Sequence, residues 1–179
     1  LDSAGRVSPT EDIDRCLVAD LPDPVTPPFA IGIDWARYSD YTAVAVVSGS
    51  RDRCQLVHLE RFQNMPWHQQ IARVAAIAER FVRPMVTCDA TGAGDLALEM
   101  LRDALPKHGI EGFVFAAKSK TELIDGLHLV LERGALKMRP DPQLIRELQH
   151  FEARPTPSGG TQISAVSGIH DDLVVALAL

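Results

Sequence analysis

The stretch Phe29-Ala30-Ile31-Gly32-Ile33-Asp34-Trp35-Ala36 constrains this chain most, because it is an apolar strand pattern that closes on one carboxylate and then turns. A strand alternates faces, so Ile31, Ile33 and Trp35 share one side while Gly32, Asp34 and Ala36 share the other. Asp34 is therefore expected over a bare glycine with an open approach. That arrangement suits a metal or phosphate site, and it equally suits an aspartate that only starts a turn.

The neighbouring segments decide how the strand is used. Residues 42–47 and 54–62 read as two more strands separated by Gly49-Ser50-Arg51-Asp52, which makes an antiparallel meander. Pro66 then opens a helix in which Ile71, Val74, Ala75, Ala78 and Phe81 recur at helical spacing up to Arg83-Pro84. Met85-Val86-Thr87-Cys88-Asp89 is a second short apolar strand ending on an aspartate. Ala90-Thr91-Gly92-Ala93-Gly94 leads from it into a helix carrying Ala97, Met100, Leu101 and Ala104. Strands joined by helical crossovers lie parallel, so their C-terminal ends sit side by side and bring Asp34 toward Asp89. The Gly-rich turn matches neither a P-loop nor a dinucleotide fingerprint, and a phosphate-cradling role is the weaker reading of it.

Residues 112–117 read as a further strand, and Ser119-Lys120-Thr121-Glu122 has capping-box spacing for a helix through Leu123, Leu127 and Val130 to Gly134. A short strand over 135–139 and a helix over 142–151 come next. Pro155-Thr156-Pro157-Ser158-Gly159-Gly160 then reads as a hairpin tip or as a loop reaching a partner or a DNA backbone, before residues 162–166. The chain closes on His170-Asp171-Asp172-Leu173-Val174-Val175-Ala176-Leu177-Ala178-Leu179, an apolar helix with two acids in its first turn. A helix dipole favours acids there in any protein. On a helical wheel Asp171 shares a face with Val174, Val175 and Ala178, toward the core, while Asp172 is turned by about 100° toward solvent or a second cation. A carboxylate aimed into packed structure needs a partner, and a divalent cation shared with Asp34 and Asp89 supplies one.

Composition sets the frame around these acids. With 179 residues, 46% of them hydrophobic and 23% charged, the chain is long enough for one core and too short for two. Residues 29–179 are expected to form that domain. Residues 1–28, closed by Pro22, Pro24, Pro27 and Pro28, read as a linker or docking arm. Leu1 in place of a methionine suggests a piece of a longer polypeptide. Without a membrane-length apolar run or a signal pattern, a soluble intracellular protein is expected. Cys16, Cys54 and Cys88 are odd in number and far apart, which fits plain thiols rather than disulfides or a zinc motif. The net charge of -6 argues against a simple phosphate-coating protein, yet acids that hold cations give a deficit of the same sign.

Together, the meander with Gly-Ile-Asp, the crossover helix, the strand ending Cys-Asp-Ala-Thr-Gly-Ala-Gly-Asp and the terminal His-Asp-Asp-Leu-Val-Val-Ala-Leu resemble the nuclease domain of the large terminase subunit of tailed bacteriophages, in the ribonuclease H-like superfamily. The resemblance covers about residues 29–179. It implies an α/β, ribonuclease H-like fold, a central mixed β-sheet of antiparallel meander plus parallel strands flanked by helices. It further implies an endonuclease that cuts concatemeric viral DNA around capsid filling, in the host cytoplasm and transiently at the capsid portal. The implied partners are double-stranded DNA, a packaging ATPase domain of the same polypeptide, the portal and the small terminase subunit, with no membrane. No Gly-x-x-x-x-Gly-Lys-Ser/Thr occurs in this chain, which fits an excised nuclease piece.

The family's acidic cluster maps onto Asp34, Asp89 and Asp171 as catalytic metal ligands, with Asp172 as a fourth. Oxygen ligands without a nearby Cys/His set select Mg²⁺ or Mn²⁺, and two ions about 3.5 to 4 Å apart would activate a water and stabilise the leaving 3′-oxygen. Asp34 is expected to bridge, Asp89 and Asp171 to bind one ion each, and His170 to be a neighbour. Basic contacts to DNA are expected from Lys118, Lys120, Lys137, Arg139 and Arg154, chosen by position in loops and short strands. Three other readings remain: a Holliday-junction resolvase-like nuclease of the same superfamily, an actin-like ATPase, which would need a second domain, and a non-catalytic docking module, which would need none of the acids.

Overall fold

The computed structural model describes residues 10–36, 40–155, 161–165 and 170–179, and the side chains of 152–165 fall outside that description. In chain order the elements are α1 (Thr10–Cys16), β1 (Phe29–Asp34), β2 (Thr42–Ser50), β3 (Arg53–Phe62), α2 (Trp67–Ala78), β4 (Met85–Asp89), α3 (Ala93–Ala104), β5 (Ile110–Phe113), α4 (Ala117–Glu132), β6 (Leu136–Lys137), α5 (Pro142–Gln149), β7 (Phe151–Pro155), β8 (Thr161–Ala165) and α6 (Asp172–Ala178). The meander expected from the sequence is β1, β2 and β3, and the crossover helices are α2 and α3.

Six strands form one mixed sheet in the order β5-β4-β1-β2-β3-β6, and β7 pairs with β8 apart from it. β2 runs antiparallel to β1 and β3, whereas β4 lies parallel to β1, β5 to β4 and β6 to β3. The period-two alternation of the strands divides the interior in two. On one face Ile31, Ile33, Val44, Val46, Val86 and Cys88 meet Ile71, Val74 and Ile77 of α2 and Ala97, Leu98 and Leu101 of α3. On the other, Ala43 and Ala45 meet Ile124, Leu127 and Leu131 of α4, Leu144 and Leu148 of α5, and Leu173, Val174 and Ala176 of α6. Each fully buried Leu, Ile or Val stabilises the fold by about 1.5–3 kcal/mol relative to exposure, so both layers are needed to hold the sheet.

Small residues decide where α6 lies. Gly32, Ala43 and Ala45 present almost no side chain on that face, and α6 packs against β1 and β2. A side chain at Gly32 would collide with the Ala176 carbonyl oxygen and touch the Leu179 side chain. The space beside Asp34 that reads as an open approach in the sequence is therefore filled by α6. Ile13 and Cys16 of α1 are fully buried in the same layer, and Leu17 forms a β-bridge with Met138.

Local chemistry shifts two boundaries from their expected places. β5 ends at Phe113, and Ser119 is the third residue of α4 rather than its cap: its hydroxyl accepts from the Ala116 backbone N–H at 2.8 Å. Asp141 caps α5 by accepting from the backbone N–H groups of Gln143 at 3.0 Å and Leu144 at 2.8 Å, with Pro142 at the first turn. Among the described residues no helix is long and apolar enough to cross a membrane.

Candidate metal centre

Asp34 and Asp89 close two adjacent parallel strands in step. Ile33 pairs with Cys88, so the next residue of each strand is the aspartate, and both carboxylates leave the sheet on the face that carries α6. The turn after β4 then organises Asp89: the Thr91 backbone N–H donates to Asp89 Oδ1 at 2.7 Å, and Thr91 Oγ1 accepts from Phe115 N at 2.8 Å. Gly94 lies so close to the Asp89 carbonyl that a side chain there would clash with it. The glycines of this turn therefore bring the start of α3 against Asp89, a role that explains them without a phosphate.

The acids at the end of the chain reverse the orientation that the helical wheel assigns. Asp171 is the residue before α6, with φ -124° and ψ 12°, so helical periodicity does not extend to it. Its side chain is partly exposed, and its Oδ2 accepts from Lys120 Nζ at 3.0 Å. Asp172, the first helical residue, is the buried one, at 3% exposure. Neither side chain caps the helix. That task falls to Glu147 of α5, whose Oε2 accepts from Leu173 N at 2.9 Å and Val174 N at 3.3 Å, and whose Oε1 accepts from Gln143 and Arg61. A fully buried carboxylate thus fixes the helix start on which both aspartates depend.

Asp34 is pushed well above the usual carboxylate range, first by burial and then by the charges of Asp172, Asp89 and Asp171, with Lys120 opposing. Asp89 is also raised, by burial, while its bonds from Thr91 and the charge of Lys120 pull the other way. Asp172 is pushed up to about 8 by burial and by Asp40, Glu147 and Asp171. Burial is the first cause of all three shifts, and the charges of neighbouring carboxylates add to it at Asp34 and Asp172. Asp89 and the adjacent Asp171 and Asp172 come from separate parts of the sequence, and each of the three raises Asp34 through its charge.

Two residues outside the expected ligand set join it. His170 Nδ1 donates to Asp40 Oδ1 at 2.7 Å and stands 3.7 Å from Asp172 Oδ2, and one ligand atom from each of Asp40, His170 and Asp172 lies within 4.8 Å of the others. The Asp172 Oδ2 atom is buried and has no hydrogen-bond partner. An orphaned, buried carboxylate oxygen facing other acids is a strong demand for a cation. The donor set is therefore well matched to a hard divalent ion: carboxylate oxygens throughout, with one imidazole at the edge.

The expected basic residues scatter. Lys120 reaches into the cluster. Lys118, one residue into α4, is highly exposed and pairs with Glu122 at 3.7 Å. Lys137 pairs in register with Gln55, hence in the row of Ser48 and Phe29 at the opposite end of the sheet from Asp34, and its Nζ donates to the Arg15 carbonyl at 2.9 Å. Arg139 is exposed beyond β6, beside Leu56, Val57, His58 and Leu59. Arg154 lies on β7, and its side chain, like the loop 156–160, is outside the described residues.

Known proteins of one kind resemble this chain in sequence and in structure. A family model described as the Terminase RNaseH-like domain matches residues 31–179. A curated relative, the terminase large subunit of Thermus virus P23-45, is 34% identical over 154 residues, covering 84% of this chain and 30% of the relative, so the chain spans about a third of that protein's length. The large terminase nuclease from thermophilic phage G20c superposes with a TM-score of 0.80 at 26% identity, over 98% of this chain and 96% of that one. The same nuclease with bound magnesium gives 0.83 at 25% identity, over 99% and 96%.

Proposed function

The chain belongs to the Terminase RNaseH-like domain family, and from that membership we propose that it is a divalent-metal-dependent DNA endonuclease, the nuclease part of a large terminase subunit that cuts concatemeric viral DNA during genome packaging. The observation that carries this reading is that Asp34 feels the charges of Asp172, Asp89 and Asp171 at one end of the sheet, while the Asp172 Oδ2 atom is buried without a hydrogen-bond partner, 3.7 Å from His170 Nδ1. The related G20c nuclease has been solved with bound magnesium and with bound cobalt, which supports a divalent ion for such a cluster.

In this reading Asp34, Asp89, Asp171 and Asp172 would hold Mg²⁺ or Mn²⁺, with two ions expected in the working complex. Bound there, the ions would activate a water and stabilise the leaving 3′-oxygen of a phosphodiester. The residues of the chain do the rest. Asp34, whose carboxyl feels the charges of the other three acids, would hold the metal together with them. Asp89 accepts from the Thr91 backbone N–H, and Glu147 fixes the start of α6, from which Asp171 and Asp172 extend. The acids repel a bare phosphodiester, and neutralising them is the condition for DNA to approach a chain of net charge -6.

The substrate is double-stranded DNA, held by basic contacts that include Lys118 near the start of α4. The ATPase domain of the same polypeptide, the portal and the small terminase subunit supply the remaining surface, in the host cytoplasm and transiently at the portal. Control by geometry is the consequence: the domain alone binds DNA weakly, with an affinity that falls steeply with salt, and the motor presents DNA to the acids only when translocation stops. The test is cleavage of supercoiled plasmid with Mn²⁺ or Mg²⁺. The chain should nick and linearise it with little sequence preference, and Asp34→Asn should be inactive while folded. Cleavage retained in Asp34→Asn would overturn the assignment.

A further inference from the structure

Lys120 sits where its own helix disfavours it. It lies in the first turn of α4, close to the positive end of the helix dipole, where acids are stabilised and a cation is not. Its direction explains the exception. The Nζ is 3.0 Å from Asp171 Oδ2 and 6.0 Å from the ring centres of both Phe115 and Phe151, so the half-buried ammonium is held against an acid beside two aromatic rings. Asp34 and Asp89 both feel its charge. The first turn that carries it is tied down by Ser119, which accepts from Ala116 N and donates to the Val114 carbonyl.

An ammonium in that place does what a bound cation does: it neutralises Asp171 and lowers the field on Asp34 and Asp89. We propose that Lys120 is a positioning residue that acts as the built-in counter-ion of the acid cluster, competing with a divalent cation for Asp171. The idea rests on the metal-centre reading of the four aspartates. It gives the metal-free protein a way to keep four acids together, and it makes loading of Asp171 depend on moving one lysine. A DNA phosphate is a suitable acceptor for that lysine once it leaves, so substrate and the Asp171-bound ion would favour one another.

The test uses the 179-residue chain stripped with a chelator and titrated with MnCl₂ in the absence of DNA, following free Mn²⁺ by electron paramagnetic resonance. Lys120→Met keeps an apolar stem of similar length and removes the charge; Lys120→Gln is a second neutral variant, and Lys120→Arg keeps the charge. Both neutral variants should bind Mn²⁺ at least about tenfold more tightly than wild type, with Lys120→Arg close to wild type. The metal-free neutral variants should also unfold at lower urea, and Mn²⁺ should restore them. Unchanged or weaker Mn²⁺ binding in the neutral variants would overturn the proposal, and a loss confined to DNA affinity would mark the lysine as a plain phosphate contact. If wild type binds Mn²⁺ but the variants do not differ, the counter-ion role alone fails; if wild type binds none, the metal-centre reading fails with it.

Discussion

Asp172→Asn should change how the metal-free domain responds to pH. The Asp172 side chain is 5% exposed, and its carboxyl is pushed up to about 8 by burial and by Asp40, Glu147 and Asp171, from an ordinary value of 3.8. The folded state keeps a proton that the unfolded chain releases. The contribution to stability is therefore complete below about pH 4 and is lost as the pH rises through about 8, with a slope approaching about 1.4 kcal/mol per pH unit between them. From about pH 5 to pH 8 this one group should remove about 3 to 4 kcal/mol, a large part of the stability of an ordinary domain. Asp172→Asn cannot ionise, so its share of the slope disappears, while Asp34, which is raised for related reasons, keeps its own. Urea unfolding in a chelator at several pH values, followed by the fluorescence of Trp35 and Trp67, measures both slopes. Mn²⁺ should flatten the wild-type slope because it favours the ionised acids. Equal slopes in wild type and Asp172→Asn, or wild-type stability that rises over this interval, would refute the reasoning.

Glu147→Ala should lower stability by about 3 to 5 kcal/mol in urea unfolding, because it strips the start of α6 of its acceptor and leaves Arg61 without its buried partner. The same change should weaken Mn²⁺ binding in a calorimetric titration, since Asp171 and Asp172 lose their anchor. Gly32→Ala should destabilise by at least about 2 kcal/mol, because its methyl group meets the Ala176 carbonyl and must displace α6; a wild-type unfolding midpoint would contradict that packing. Asp34→Asn should fold, and in the metal-free state at about pH 8 it should be more stable than wild type by thermal unfolding, since a buried, repelled carboxylate is gone.

Much of this architecture is legible in strand periodicity. Ile31 and Ile33 against Gly32 and Asp34 is a two-residue alternation that a sheet must respect, and Met85-Val86-Thr87-Cys88-Asp89 repeats it, so the pairing of Asp34 with Asp89 follows from two strands joined by a crossover. The end of the chain is less legible because a helical wheel presumes a helix. Asp171 has non-helical φ and ψ, and the wheel starts one residue later, which exchanges the buried and exposed acids. Asp40 and His170 meet across 130 positions, and Glu147 reaches α6 from another helix; no local spacing signals either contact. Lys120 is visible at a strand-helix junction, but whether its ammonium faces solvent or acids depends on where Asp171, Phe115 and Phe151 come to rest. The expected capping box fails for a related reason: Ser119 has the right chemistry for a helix start, but as the residue that bonds back to the Ala116 N–H.

Whether Asp34, Asp89, Asp171 and Asp172 form a divalent-metal centre is measured most directly by anomalous diffraction from crystals of the chain soaked in Mn²⁺. A manganese peak is expected about 2 Å from a carboxylate oxygen of Asp34 and of at least one of Asp89, Asp171 and Asp172, and it should be lost in crystals of Asp34→Asn. Manganese found elsewhere on the chain, or a peak in this cluster that survives Asp34→Asn unchanged, would contradict the assignment of these four acids.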